Sequence, residues 1–294
     1  MSIQNIGNTC YLSAMLQSLI HTKTLNMYIH AVKDNKESIL HTYVDIHKRV
    51  INNENAVMPT KLVEQLGETD KLFKSGQQED AHEAMLSLLN ILRKYTPLHL
   101  SLYSFSKHGK IAWNRDKMHN VIDEIFKLQH YSILTCTECE KCIRRQYTNE
   151  FGLIVYLSNN DDIVNVINNE YNNEETFEAT CDTCQQKRIF LNKKQISHYP
   201  LSLIICIGQK QSHLDMQQIF KPRIHIQDNE YDLYAVCKHH GSTINSGHYT
   251  ACVKSNNRWY MKNDSMSYDL QTMYRSAMNI QKDGYIFIYH KTRY

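Results

Sequence analysis

Two stretches carry side chains able to do covalent and acid–base chemistry together. The first is Asn5-Ile6-Gly7-Asn8-Thr9-Cys10-Tyr11-Leu12, near the start of the 294-residue sequence. The second is Ser246-Gly247-His248-Tyr249-Thr250-Ala251, with Asn263 and Asp264 beginning fifteen residues after the histidine. A thiol attacks well when a base within hydrogen-bond reach takes its proton, and that base needs a third group to hold its ring. Asn263 can fix an imidazole tautomer without adding charge, and Asp264 is a neighbouring acid that could assist. A second constellation is Cys136-Thr137-Glu138-Cys139 and Cys181-Asp182-Thr183-Cys184. Two CxxC turns aim four sulfurs at one point, which suits a tetrahedral Zn²⁺ with no position left for water, a structural site. Cys142 is a fifth cysteine, a bystander or a competing ligand.

These residues need elements to position them. Leu12, Met15, Leu16 and Leu19 recur at helical spacing, so a helix with one buried face follows Cys10. Gly7 allows a turn, and Asn8 and Thr9 are good helix-start residues. Cys10 then sits in a first turn, where unpaired N–H groups and the helix dipole favour a thiolate. Taken alone, a cysteine there is more often a small buried packing residue. Further helices are expected over 38–51, 60–66 and 78–95. In the last of these, Asp80 and Glu83 lie three apart and share a face. Residues 96–120 read as a loop-rich crossing, with Trp113 as a packing residue. From Ile122 onward the alternation suggests a strand, and the asparagine-rich 159–175 stretch suggests an exposed tip or linker. The run 201–207 is apolar throughout, a strand buried on both faces. Strands over 231–236, 249–254, 258–262 and 285–289 make the C-terminal third mostly antiparallel sheet. The rival histidines His239 and His240 border a Gly/Ser/Asn-rich loop, a flexible rim able to touch a substrate.

A cysteine early and a histidine with Asn or Asp late is also the chain order of papain-like enzymes. The opening stretch resembles the cysteine box of ubiquitin-specific proteases, and residues 231–249 with 259–264 resemble their histidine box. Gln78-Glu79-Asp80-Ala81-His82-Glu83 resembles the Gln/Asp/Glu box, and the CxxC pairs lie where the family has its zinc finger. The landmarks keep family order from residue 3 to about residue 290.

The resemblance implies an α+β, papain-like cysteine protease fold. Residues 1–120 would form a helical thumb carrying the nucleophile, 121–198 zinc-bound β fingers, and 199–294 a β palm carrying the histidine and asparagine. It implies hydrolysis of the bond after ubiquitin's C-terminal glycine through a thioester. Cys10 would be the nucleophile, His248 the base, Asn263 its orienting partner, and Asn5 an oxyanion donor beside the Cys10 N–H. Asp80 and Glu83 would receive arginines near the ubiquitin tail, with His240, Gly247 and Tyr249 as further substrate contacts. Other readings are a protease for a ubiquitin-like modifier, a catalytically silent ubiquitin-binding scaffold, and a zinc-only interaction module. Several positions depart from the family pattern: Ser2-Ile3, Ser13, Ala84, Lys262, and Gly208-Gln209-Lys210 after the central strand. They bear on substrate affinity and linkage preference.

Bulk properties narrow the class. Net charge is +3 without a basic block, which gives no sign of nucleic-acid binding. No apolar run approaches the length of a membrane span, and the start lacks a secretory pattern. Nine cysteines, an odd number in a large chain, argue against a disulfide framework and for a reducing compartment, cytoplasmic or nuclear. The expected partner is ubiquitin or ubiquitinated protein, met by a monomer.

Overall fold

The computed structural model describes residues 2–29, 38–52, 54, 56–74, 76–96, 98–101, 114–209, 214–243, 246–272 and 279–292. Helices come first: α1 (Cys10–Ile20), α2 (Lys23–Ile29), α3 (Ile39–Ile51), α4 (Thr60–Thr69) and α5 (Ala81–Tyr95). α1 is not half-exposed as the leucine stripe suggests. All of its residues are buried, Ser13, Gln17 and Ser18 included, so it is the central helix of the molecule. Such a helix must satisfy its polar side chains locally, and Ser18 Oγ donates to the Ala14 carbonyl at 3.0 Å. α5 starts at Ala81, later than the sequence suggested. Asp80 is its N-cap and accepts from the backbone N–H groups of His82 and Glu83.

The 96–120 stretch holds two paired antiparallel strands, β1 (Leu98–Ser101) and β2 (Asn114–Asn120). Trp113 lies outside the described residues. The strand expected from Ile122 is in fact a helix, α6 (Val121–Phe126), with β3 (Leu128–Cys136) beginning only after it. Asn120 caps α6 by accepting from the Ile122 N–H at 2.9 Å. Val121, Ile122, Ile125 and Phe126 are all buried on one helical side, a spacing that alternation obscured.

β3 pairs with β4 (Cys142–Glu150), and after β5 (Leu153–Val155) and α7 (Ile163–Tyr171) come β6 (Glu174–Cys181) and β7 (Gln186–His198). These make an antiparallel sheet in the order β4-β3-β7-β6. α7 overturns the reading of 159–175 as a tip. Asp162 caps it, accepting from Val164 N, and Ile163 and Ile167 are fully buried. Burying two isoleucines contributes about 3–6 kcal/mol. Three helical asparagines cost at most about 2 kcal/mol of propensity, so burial wins.

The large sheet adds β8 (Ser202–Ile207), β9 (Arg223–Ile226) after the short helix α8 (Met216–Ile219), β10 (Asn229–Thr243), β11 (Ser246–Ser255), β12 (Arg258–Asn263), β13 (Met266–Asp269) and β14 (Gly284–Lys291). Its order is β13-β12-β11-β10-β14-β8-β5, with β9 paired to β10. β8 shows why its sequence is apolar throughout: Ile204 and Cys206 enter the core shared with α1 and α5, while Leu203, Ile205 and Ile207 enter the opposite core with α7 and Phe220. β10 continues to Thr243, which pairs with Ser246, so the segment read as a loop rim is largely hairpin; residues 244–245 lie outside the described set. Among the described residues, no helix is long and apolar enough to cross a membrane.

Candidate active site and metal centre

The Cys10 end of α1 packs against β11, and β11 pairs with β12, so helix and strands bring the two sequence stretches together. His248 Nε2 and Asn263 Oδ1 are 2.7 Å apart. An amide oxygen only accepts, so Nε2 carries the proton and Nδ1 keeps its lone pair. Cys10 lies beside the residue that follows His248. The backbone N–H groups of Tyr249, Tyr11 and Cys10 itself stabilise its thiolate, yet burial outweighs them and raises the thiol above its ordinary 9.0, with Asp264 adding to the rise. This corrects the thiolate expected from the helix start. A helix dipole is worth about 0.3–1 kcal/mol at the surface, whereas burial can move a pKa by several units at about 1.4 kcal/mol each. Among the described residues, no hydrogen bond joins the Cys10 thiol to the His248 ring. Iodoacetamide alkylation of Cys10 in the free protein should therefore keep accelerating as pH rises through 9.0; a plateau reached near neutrality would show a preformed thiolate.

Asn5 is pinned from one side. Its Oδ1 accepts from Gly7 N at 3.0 Å, Thr9 N at 3.1 Å and Thr9 Oγ1 at 3.1 Å. The Thr9 hydroxyl also accepts from Ile6 N, which explains why it makes no cap bond to α1. The amide is thus fixed with Nδ2 pointing the other way, where it donates to Asp264 Oδ2 at 3.3 Å. Asp264 sits in a left-handed turn after β12 and reaches Asn5, while Asn263 holds the histidine.

The remaining sequence candidates divide by exposure. Glu83 is exposed. Asp80 is half-buried, and its second oxygen accepts from Tyr285 Oη at 2.7 Å. Tyr249 is 1% exposed, its ring 4.5 Å from that of His239. His240 is exposed, with Nε2 2.8 Å from Thr250 Oγ1. Gly247 has φ +152°, and a Cβ there would lie 2.6 Å from His239 Nε2 and 2.7 Å from the His240 carbonyl. Its own carbonyl accepts from Gln78 Nε2 at 2.9 Å. The sequence reading put Gln78 in the Gln/Asp/Glu box and Tyr285 in a strand but gave neither a partner, because contacts spanning 169 and 205 residues leave no periodic signature. Gly247→Ala should push the start of β11 away from β10 at His239 and His240, move His248 with it, and lower kcat/KM by about 100-fold, since small misplacements of reacting groups have that scale of effect.

At the far end of the finger sheet, the sulfurs of Cys136, Cys139, Cys181 and Cys184 all lie within 4.8 Å of one another. A tetrahedral Zn²⁺ with Zn–S arms of about 2.3 Å has S–S edges of about 3.8 Å. Cys139 and Cys181 sulfurs are 3.8 Å apart, and all four thiols are free. The Cys184 N–H, donating at 3.4 Å, helps pull Cys181 down to about 7, while burial beside the other sulfurs pushes Cys184 up to about 12. Packed thiols cannot all ionise together unless a cation joins them, so the donor set fits a metal. The Cys142 side chain lies outside the described residues.

The family model for ubiquitin carboxyl-terminal hydrolases matches residues 1–289. The chain belongs to that family. It is a ubiquitin-specific protease, a deubiquitinating thiol hydrolase. Ubiquitin carboxyl-terminal hydrolase 4 of Arabidopsis thaliana is 25% identical, over 97% of this chain and 92% of its own. Ubiquitin carboxyl-terminal hydrolase 12 of Salmo salar is also 25% identical, over 97% and 88%. The SAGA DUB module Ubp8/Sgf11/Sus1/Sgf73 bound to monoubiquitin superposes with a TM-score of 0.76 at 16% identity, over 99% of this chain and 69% of that one. At that identity the likeness speaks for the fold, the α+β architecture of a ubiquitin-specific protease.

Proposed function

We propose that Cys10, His248 and Asn263 carry out the hydrolysis, cutting the bond after the C-terminal glycine of ubiquitin. The bond from His248 Nε2 to Asn263 carries the reading, because it leaves Nδ1 unprotonated on a strand that packs against Cys10. Cys10 Sγ attacks the glycine carbonyl carbon as its proton passes to His248 Nδ1. The resulting oxyanion takes hydrogen bonds from the Cys10 N–H and Asn5 Nδ2. His248 hands the proton to the leaving amine, and the C–N bond breaks to give a thioester. Water, deprotonated by His248, hydrolyses the thioester and restores the thiol. Because burial keeps the resting thiol protonated, the base is required at the first step.

Asp264 acts through Asn5. Asn5→Ala should lower kcat by about 10²–10³-fold with KM little changed, the scale of losing one oxyanion donor; steady-state hydrolysis of a ubiquitin C-terminal amide measures it. Glu83 offers an open carboxylate to arginines near the ubiquitin tail, beside Asp80, whose carboxylate is shared with the helix start and Tyr285. His240 and Gly247 form an approachable rim, and buried Tyr249 contributes through its backbone and packing. Residues 1–120 serve as thumb, the sheet β4-β3-β7-β6 within 121–198 as fingers, and 199–294, joined by β5 and α7 from the middle segment, as palm. The four-cysteine cluster holds a structural Zn²⁺ that ties the finger strands together. A monomer in a reducing cytoplasmic or nuclear setting suits the free thiols.

Parallel assays on fluorogenic C-terminal amides of ubiquitin and of several ubiquitin-like modifiers test the substrate. Turnover of ubiquitin that disappears in His248→Ala is expected. Preference for another modifier, or binding of ubiquitin without turnover, would overturn the reading.

A further inference from the structure

A cavity of about 200 Å³ opens at the end of α1 remote from Cys10. Each of its walls belongs to an element already described. His21 terminates α1, Lys23 begins α2, Lys254 lies near the end of β11, and His290 lies near the end of β14. Asn256 and Asn257 form the turn into β12 with φ of 48° and 60°, a left-handed pair suited to a tight hairpin. The length of α1 at about 1.5 Å per residue separates His21 from Cys10 by about 16 Å. Lys254 lies about 20 Å along the strand from His248. The cavity is therefore a different place from the active site, although it touches α1, β11 and the β11–β12 turn.

Its charge is unbalanced. Among the described lining residues the only carboxylate is Asp232, and Arg223 takes both of its oxygens, at 2.6 and 2.9 Å. Neither Lys23 nor Lys254 joins an ion pair among the described residues. Two ammonium groups thus border one concavity whose single described carboxylate, Asp232, is bonded by Arg223 and acts on Lys254 only through space. Burial holds both imidazoles down to about 4, so neither His21 nor His290 adds charge to the cavity; at His290 the neighbouring Lys23 adds to the fall and Asp232 opposes it. A positive concavity with low-dielectric walls concentrates anions.

We propose that this cavity binds a phosphate group of the phosphomonoester class, held by Lys23 and Lys254, with the Asn256 and Asn257 amides donating at its rim. A phosphate brings nearly two negative charges and three acceptor oxygens, which matches two ammonium groups and two amides. A carboxylate brings one charge and fits less well. The phosphate is either free or the head of a small molecule.

The test is calorimetric titration of the full chain at constant ionic strength with inorganic phosphate, glycerol phosphate and acetate. Saturable one-to-one binding of phosphate is expected, with acetate much weaker. Tighter binding of glycerol phosphate than of inorganic phosphate would assign the site to a small phosphorylated molecule, and the reverse order to the free ion. Lys23→Ala or Lys254→Ala should each weaken binding about tenfold, the scale of one charged hydrogen bond. Lys187→Ala, on the finger sheet, should bind as wild type. Asn256→Asp keeps a residue tolerant of the left-handed turn and should also weaken binding, which guards against a misfolded lysine variant. No saturable phosphate binding, equal affinity for acetate, or affinity unchanged in Asn256→Asp and the lysine variants would overturn the proposal.

Discussion

Replacing Cys10 by alanine is expected to lower kcat on a ubiquitin C-terminal amide by about 10⁴-fold or more while ubiquitin affinity is retained. The size follows from what is removed. Without the sulfur there is no covalent intermediate, and only oxyanion stabilisation and binding remain. The fold should survive, because Cys10 is a small residue at the first position of a wholly buried helix, and alanine is a good helix former. Loss of one thiol from a packed site costs stability on the scale of about 1 kcal/mol, too little to explain a rate loss of that size by unfolding. Ubiquitin affinity, measured by calorimetry on the same variant, separates a lost reaction from a lost surface.

Cys181→Ser, or removal of metal by a strong chelator, is expected to have the second large effect, confined to the fingers. The apolar cluster there comprises Cys136, Cys181 and Phe190, with a few half-buried neighbours. That is little burial for the ends of four strands, and under the proposed metal reading the ion supplies the stabilisation; zinc bound to four thiolates is worth about 10–16 kcal/mol in small folds. Backbone amides of β6 and β7 near the cluster should exchange hydrogen far faster after the change. Amides of β8, β10 and β14, buried between the two cores, should keep their protection. Zinc content should fall from one ion per chain to none. Unchanged exchange in the fingers would mean the cluster is not a structural metal site.

Much of this arrangement was legible in the sequence because it rests on local patterns. A leucine stripe marked α1, an unbroken apolar run marked β8 as buried on both faces, and paired CxxC turns marked a cluster whose sulfurs do converge. His248 and Asn263 were singled out by their neighbours in the sequence, and the structure places them within hydrogen-bond distance of each other. What escaped was decided by tertiary context. α6 is short, so a few apolar residues fitted strand alternation as well as a helix until Asn120 fixed its start. α7 was hidden by asparagines whose low propensity is outweighed by Ile163 and Ile167. The Cys10 thiol is a contest between N–H groups visible in the sequence and burial that is not. Gln78, Tyr285 and the Asn5–Asp264 bond tie positions far apart in the chain, and residue type alone does not reveal such partners.

The most direct test is to react the protein with ubiquitin whose C-terminus carries an electrophile, then locate the adduct by mass spectrometry of peptides. One ubiquitin attached to Cys10, with none in Cys10→Ser and little in His248→Ala, is the expected result. Attachment at another cysteine, or an adduct on Cys10 that forms as fast without His248, would contradict a thiol made reactive by that histidine.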